Sequence, residues 1–240
     1  MHFPILMYHQ VDAPPPRGTK MRGLVVAPST FAWQMAMLQM LGYRGVSMSG
    51  LMPYLRGERQ GRVVGITFDD GYRNNLEHAL PVLQRHGFSA TCYAVSRLAG
   101  ADNAWDAHQG VPSKPLMTAD ELRQWVRGGM EIGAHTRDHV DLTTLDAAAA
   151  RDQIAGSKRD LETMVGAPVT HFCYPYGRFK PDHAALAREA GYESATTVNR
   201  GRALPHADPF TLPRVLVSRS THPGYFFLKL KTRYEDRRGH

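Results

Sequence analysis

Val63-Val64-Gly65-Ile66-Thr67-Phe68-Asp69-Asp70-Gly71-Tyr72 runs from an uncharged apolar stretch into two adjacent carboxylates. A continuous apolar run of this length is the mark of a strand buried on both faces, as in a parallel sheet covered by helices. In such sheets the carboxyl ends of the strands carry the active site. Two neighbouring carboxylates there cannot both stay ionised cheaply without a compensating cation. Adjacent residues also point in different directions, so one can bind a metal while the other handles a proton. A solvated Asp-Asp-Gly turn is the plain alternative.

Outward from this stretch, short apolar runs alternate with helical patterns. Phe3–Tyr8 reads as a strand, and Ser29-Thr30 caps a helix carrying Phe31, Met35 and Leu38, ended by Gly42. A helix through Leu76, Leu80 and Leu83 stops at Gly87, and Ala90–Val95 is the next strand. Residues 96–117 lack periodicity and read as a long functional loop. Thr118-Ala119-Asp120-Glu121 is a capping box opening a helix, Met130–Ala134 is a strand, and Asp146–Val165 is a helix closed by Gly166. Val169–Tyr174 is a strand, Pro181 starts a helix closed by Gly191, and two strands lie near Ser194–Val198 and Arg214–Val217. The alternation predicts an α/β fold, a distorted (β/α) barrel of about seven parallel strands. No composition break divides residues 1–240, so a single domain is expected, with 222–240 a basic tail.

Composition narrows the function. The chain has 240 residues, 42% hydrophobic and 21% charged, which excludes wholesale disorder. Its 29 Lys+Arg against 22 Asp+Glu give +7, but no basic run is dense enough for a nucleic-acid stripe. The surplus would suit an anionic glycan or a phosphate-linked sugar. Cys92 and Cys173 sit in apolar segments and read as buried free thiols. No stretch reaches the ~20 apolar residues of a membrane span, and the start lacks the marks of a signal peptide, so a cytoplasmic protein is expected unless a leader has been trimmed.

The second informative stretch is Gly133-Ala134-His135-Thr136-Arg137-Asp138-His139, after another strand. Histidines at i and i+4 on a helical turn face one side and can share an ion. With one carboxylate they leave open coordination positions, as a catalytic metal needs. The third is Phe172-Cys173-Tyr174-Pro175-Tyr176-Gly177, a tight turn whose N–H groups could face an oxyanion.

Together these segments resemble the polysaccharide deacetylase family (NodB-homology domain, carbohydrate esterase family four), from about residue 3 to about residue 217. Asp69-Asp70 matches its first motif, His135…His139 its second, and Tyr174-Pro175-Tyr176-Gly177 most of its third. The resemblance implies Asp69 as general base, Asp70, His135 and His139 as ligands of a divalent ion, and the Tyr176 N–H as oxyanion donor. Zinc is the family's usual ion, with Co2+, Ni2+ or Fe2+ as other choices. Two features depart from the family pattern: Val169-Thr170-His171 stands where many members have an arginine paired with the base, and the late Leu-x-x-His motif is missing. His206 and His222 lack that motif's flanking residues. Leu6-Met7-Tyr8-His9 resembles the start of the exopolysaccharide deacetylase subgroup, which implies His9 as general acid. Arg214 is the candidate to replace the missing arginine beside Asp69.

The expected activity is hydrolysis of N-acetyl groups on the amino sugars of a poly- or oligosaccharide or a lipid-linked precursor. A bound ion would lower the pKa of its water from 15.7 toward about 7, Asp69 would take the proton, and His9 would protonate the leaving amine. Tyr72, Trp105 and Tyr176 are candidates to stack on sugar rings, with Asp102–His108 a lid or subsite wall. In the tail, Tyr225, Phe226, Phe227 and Leu228 interleave with Lys229, Lys231, Arg233, Arg237 and Arg238, compatible with peripheral membrane contact or with a docked helix bearing a solvated basic face. Two other functions fit the same residues: a degenerate domain that binds glycan without turning it over, and a non-haem iron enzyme using the same triad.

Overall fold

The computed structural model describes residues 2–238; Met1 and the last two residues of the expected tail, 239–240, lie outside the described residues. The chain opens with β1 (Ile5–Tyr8), a short pair β2 (Gln10–Val11) and β3 (Val25–Val26), α1 (Pro28–Met40), β4 (Arg44–Val46) and α2 (Met48–Leu55). It continues through β5 (Val63–Phe68), α3 (Leu80–Arg85), β6 (Thr91–Ala94), α4 (Ala119–Arg127), β7 (Glu131–Ala134) and α5 (Ala147–Val165). The last part holds β8 (His171–Cys173), α6 (Pro181–Glu189), β9 (Ser194–Arg200), β10 (Leu212–Leu216) and α7 (Pro223–Lys231).

Parallel pairing runs β1–β10–β9–β8–β7–β6–β5, and β1 pairs back onto β5, so seven parallel strands close into a barrel. An eighth strand, β4, lies outside the ring. It takes the first half of one edge of β5 (Arg44↔Val63 to Val46↔Gly65), and β6 takes the second half (Thr67↔Thr91, Phe68↔Cys92). This coverage is why β5 is buried at every residue. Phe68 turns outward onto the helical layer, where its ring lies 5.4 Å from Tyr8, 5.8 Å from Phe31 and 5.7 Å from Trp125. Burying each such ring stabilises the fold by roughly 1.5–3 kcal/mol.

Local signals hold at α4, whose Thr118 and Glu121 form the reciprocal capping box, and at α5, capped by Asp146 and ended by Gly166. One expectation needs correction. The α1 cap is not Ser29-Thr30: Pro28 occupies the first helical position, which its fixed φ favours, and Ser29 and Thr30 fall inside the first turn. The β4–α2 unit has no counterpart in the sequence reading. The connection from β9 to β10 holds no helix, and the C-terminal segment braces that flank of the barrel. There Glu235, fully buried, accepts from Arg200 at 2.8 and 3.0 Å and from Lys229, while Asp236 pairs with Arg202. Both cysteines are buried and free.

Candidate active site

The site lies at the carboxyl ends of the barrel strands. The Asp69 N–H still bonds the Tyr8 carbonyl at 3.0 Å, continuing the β1–β5 ladder. Asp70 and Gly71 then adopt φ of 75° and 80°. This left-handed pair throws the chain off the strand and sends the two carboxylates apart. A second left-handed pair shapes the histidine segment: Thr136 has φ 64° and His139 has φ 54°, and the Thr136 hydroxyl accepts from the His139 N–H at 3.0 Å. His135 and His139 therefore meet across a tight turn, not on a helix as their spacing suggested. Among the described residues, six non-glycine residues have positive φ. Met21, Asp70, His139 and Tyr176 line the cavity, and Thr136 lies between the histidines. Such strain persists only where surrounding structure enforces it, and it gathers at functional sites.

Asp70 Oδ1 lies 3.5 Å from His135 Nε2 and 3.3 Å from His139 Nε2, and one donor atom from each residue falls within 4.8 Å of the others. The outer ring nitrogens are occupied. His135 Nδ1 is 2.8 Å from the Cys173 carbonyl, which requires the proton on Nδ1 and turns Nε2 toward Asp70, where it can serve as a metal donor once deprotonated. His139 Nδ1 is 3.2 Å from Tyr176 Oη. Burial lowers the His139 pKa and favours its neutral form. Burial alone would raise the Asp70 carboxyl, but hydrogen bonds from the two imidazoles outweigh it and hold the pKa well below the ordinary range. An ionised carboxylate and two imidazoles oriented through their far nitrogens are a donor set that suits zinc and its neighbours.

Asp69 has a different principal partner, although one of its carboxylate oxygens also lies within 4.8 Å of donor atoms of His135 and Cys173. Fully buried Arg214 grips it through Nη1 to Oδ1 at 2.6 Å and Nη2 to Oδ2 at 2.7 Å. The remaining donors reach the Thr197 carbonyl at 2.8 Å, Thr67 Oγ1 at 3.1 Å and Cys173 Sγ at 3.2 Å. All five guanidinium N–H groups thus have partners, the condition for burying this cation. A bulge in β9 makes the berth: Thr196 registers with Leu212, but Arg200 registers with Arg214, so residues 197–199 bow out of the ladder. Burial would raise the Asp69 pKa, but the charge and hydrogen bonds of Arg214, helped by His9, pull it below the ordinary value.

His9 Nε2 lies 4.0 Å from Asp69 Oδ2, and its Nδ1 is buried with no partner. Tyr176 sits left-handed after Pro175, and its N–H has no acceptor among the described residues. The cavity these groups enclose measures about 100 Å³ and is rimmed by Met21, Leu24, Val111 and Val198. Among the described residues no lysine or arginine lines it, so the positive surplus read from composition is not placed at the cavity by them. Two stacking candidates also change. Trp105 already lies on His139, centroids 4.4 Å apart, and Tyr72 is buried; only Tyr176, 40% exposed, offers a face. His206 and His222 are outside the cavity lining. Asp106 falls within the Asp102–His108 stretch read as a lid or subsite wall, whereas sequence reasoning missed Met21, Leu24 and Val198 as wall residues and Cys173 as a partner of Arg214, and no local signal marks these.

A family model described as polysaccharide deacetylase matches residues 56–195, more than half of the chain. The chain belongs to the polysaccharide deacetylase family. It is therefore a hydrolase of the carbohydrate esterase family four class. The matched span holds Asp69, Asp70, His135, His139 and Tyr176, while His9 and Arg214 lie outside it. YxkH of Bacillus subtilis (strain 168) is 29% identical over 217 residues, 90% of this chain and 71% of its own. The poly-beta-1,6-N-acetyl-D-glucosamine N-deacetylase of Staphylococcus aureus (strain MRSA252) is 22% identical over 204 residues, 80% of this chain and 68% of that protein. The structure of the Streptococcus pyogenes deacetylase PplD in complex with acetate matches with a TM-score of 0.84 at 23% identity, covering 96% of this chain and 99% of that one, and speaks for the shared fold.

Proposed function

We propose that this member of the polysaccharide deacetylase family is a metal-dependent N-deacetylase of N-acetylated amino sugars in a poly- or oligosaccharide or a lipid-linked precursor. Asp70, His135 and His139 would hold the divalent cation, zinc by donor type. A cation there supplies Lewis-acid activation of water and of the amide carbonyl. The observation that carries the proposal is the pairing of this three-donor cluster with a second carboxylate, Asp69, kept ionised by a fully satisfied buried arginine.

Asp69 accepts the proton of the attacking water, and Arg214 positions it for that task. The Tyr176 N–H, without an acceptor among the described residues, donates to the carbonyl oxygen as negative charge develops. His9, whose Nε2 lies 4.0 Å from Asp69 Oδ2 in the same cavity, delivers a proton to the departing sugar amine, which leaves poorly without one. The apolar rim and the absence of lysine or arginine from the cavity support an uncharged N-acetyl sugar as the reacting unit.

The test is acetate release from N-acetylglucosamine oligomers, with chelator and metal add-back, in anaerobic buffer so that an oxygenase would stay silent. Chelation should abolish release and add-back restore it. Asp69→Asn should keep its metal and lose about 10²–10⁴ in turnover, whereas His139→Ala should lose the metal itself, read by elemental analysis. Full turnover by metal-loaded Asp69→Asn would overturn the roles assigned here.

A further inference from the structure

Exposed apolar surface is concentrated in two places. Among the described residues, the large hydrophobic side chains that stand exposed are Met21, Met40, Tyr176, Val198, Leu204, Tyr225, Phe227 and Leu228. Met21, Tyr176 and Val198 surround the catalytic cavity. Tyr225, Phe227 and Leu228 all lie on the nine-residue helix α7, away from it. That helix is well anchored by its other face: Phe226 is fully buried edge-on against Trp33, and Leu230 is buried with it. Tyr225 and Leu228 are three apart, and Phe227 and Lys231 four apart, so the exposed residues form one stripe along the helix.

The charges beside this stripe are of one sign. Residues 223–238 contain five cations, Lys229, Lys231, Arg233, Arg237 and Arg238, and two acids, Glu235 and Asp236. Both acids are already used: Glu235 by Arg200 and Lys229, Asp236 by Arg202. Lys231, Arg233, Arg237 and Arg238 have no carboxylate partner among the described residues. Arg238 lies over the Tyr234 ring at 4.5 Å, and Tyr234 meets Tyr225 at 6.0 Å, which joins the cations to the apolar stripe in one surface. A face solvated for its own sake has no use for a phenylalanine and a leucine in its middle. A partner that is apolar inside and anionic at its surface matches both features, and a bilayer containing acidic phospholipid has that chemistry.

We propose that the exposed face of α7, with Lys231, Arg233, Arg237 and Arg238, is a docking surface for anionic lipid membrane. Phe227 and Leu228 enter the headgroup boundary, and the four cations sit over the lipid phosphates. The surface is separate from the catalytic cavity, so this inference stands whether or not the deacetylase reading holds. If both hold, the enzyme works on glycan carried at a membrane.

Sedimentation of the full chain with vesicles tests it. Vesicles of phosphatidylglycerol and phosphatidylcholine should carry the protein down at low ionic strength, and pure phosphatidylcholine should not. Binding should weaken about fivefold for each cation removed, from the usual contribution of a basic residue near an acidic surface, and should fall with added salt. Two variants separate the contributions: Arg233→Ser with Arg237→Ser, and Phe227→Ser with Leu228→Ser. Both should melt near the wild-type temperature and lose vesicle binding. No binding to acidic vesicles, or undiminished binding by either variant, overturns the proposal. So does equal binding to neutral vesicles. Heparin held as tightly as vesicles, with the Phe227/Leu228 variant unaffected, would mark a polyanion strip instead.

Discussion

Arg214 and Lys in its place would carry the same charge but not the same geometry. The guanidinium uses all five donors around Asp69, Thr67, Thr197 and Cys173, and an ammonium has three and no planar fork. Arg214→Lys should therefore fold but hold Asp69 loosely, with turnover down about 10²-fold, the scale of an ångström's misplacement, and KM little changed. Arg214→Met leaves a buried carboxylate unpaired and should cost about 3–5 kcal/mol in urea unfolding. Cys173→Ala, which leaves one buried Arg214 N–H without its weak sulfur acceptor, should cost about 1–3 kcal/mol in the same unfolding and leave turnover nearly unchanged. A lysine variant as active as the parent would remove Arg214 from the machinery. At this scale the residue types were legible and their local geometry was not. The spacing of His135 and His139 announces a shared partner, but nothing in the sequence says that Thr136 and His139 turn left-handed. The i, i+4 rule belongs to helices, whereas here a tight turn brings the two imidazoles together.

Elements show the same division. Strand β5 was readable because burial on both faces demands an unbroken apolar run. Strand β4 was not: it has three residues, one of them exposed Arg44, and its middle residue Gly45 is dictated by close approach, since a Cβ there would fall 2.5 Å from Ile66 Cδ1. Helix α2 carries Pro53 in its interior, which reads as a breaker. The bulge in β9 was equally silent, although it seats Arg214 and presses Val198 against the turn that carries Tyr176. That contact is testable. Gly177 has φ 66°, and a Cβ added there would lie 2.3 Å from Val198 Cγ2 and 2.9 Å from the Val198 nitrogen. Gly177→Ala should cost about 2–5 kcal/mol, from a left-handed alanine and overpacking together. It should also lower turnover, because the strain is relieved by moving the Tyr176 N–H. Adding Val198→Ala should restore part of the melting temperature. An unchanged melting temperature in the single variant would refute the contact.

Across the molecule, the barrel was foreseeable from the alternation of elements, while the brace on its helix-free flank was not, because it depends on pairing between residues more than thirty apart. That brace is acid-sensitive. Burial would raise the Glu235 carboxyl, but hydrogen bonds from Arg200 and Lys229 bring it below its ordinary 4.5, and Asp236 is lowered against burial by Arg202. Groups depressed in the folded state stabilise it in full above their unfolded values. That contribution disappears as pH falls through the folded ones. Below about pH 4.5, residues 223–238 should gain hydrogen exchange before the barrel strands do, and Glu235→Gln should show the same release at neutral pH. Tail protection unchanged between pH 7 and 3.5 would disprove the brace.

Strand β10 closes the ring against β1, and it alone brings the counter-ion of Asp69. A nascent polypeptide has the three donors of the candidate metal site once residue 139 has been made, yet Asp69, the proposed base, stays unsupported until residue 214 follows. On the roles proposed above, competence for hydrolysis would arrive with the final strand, and a fragment ending before Leu212 would lack the support of its base.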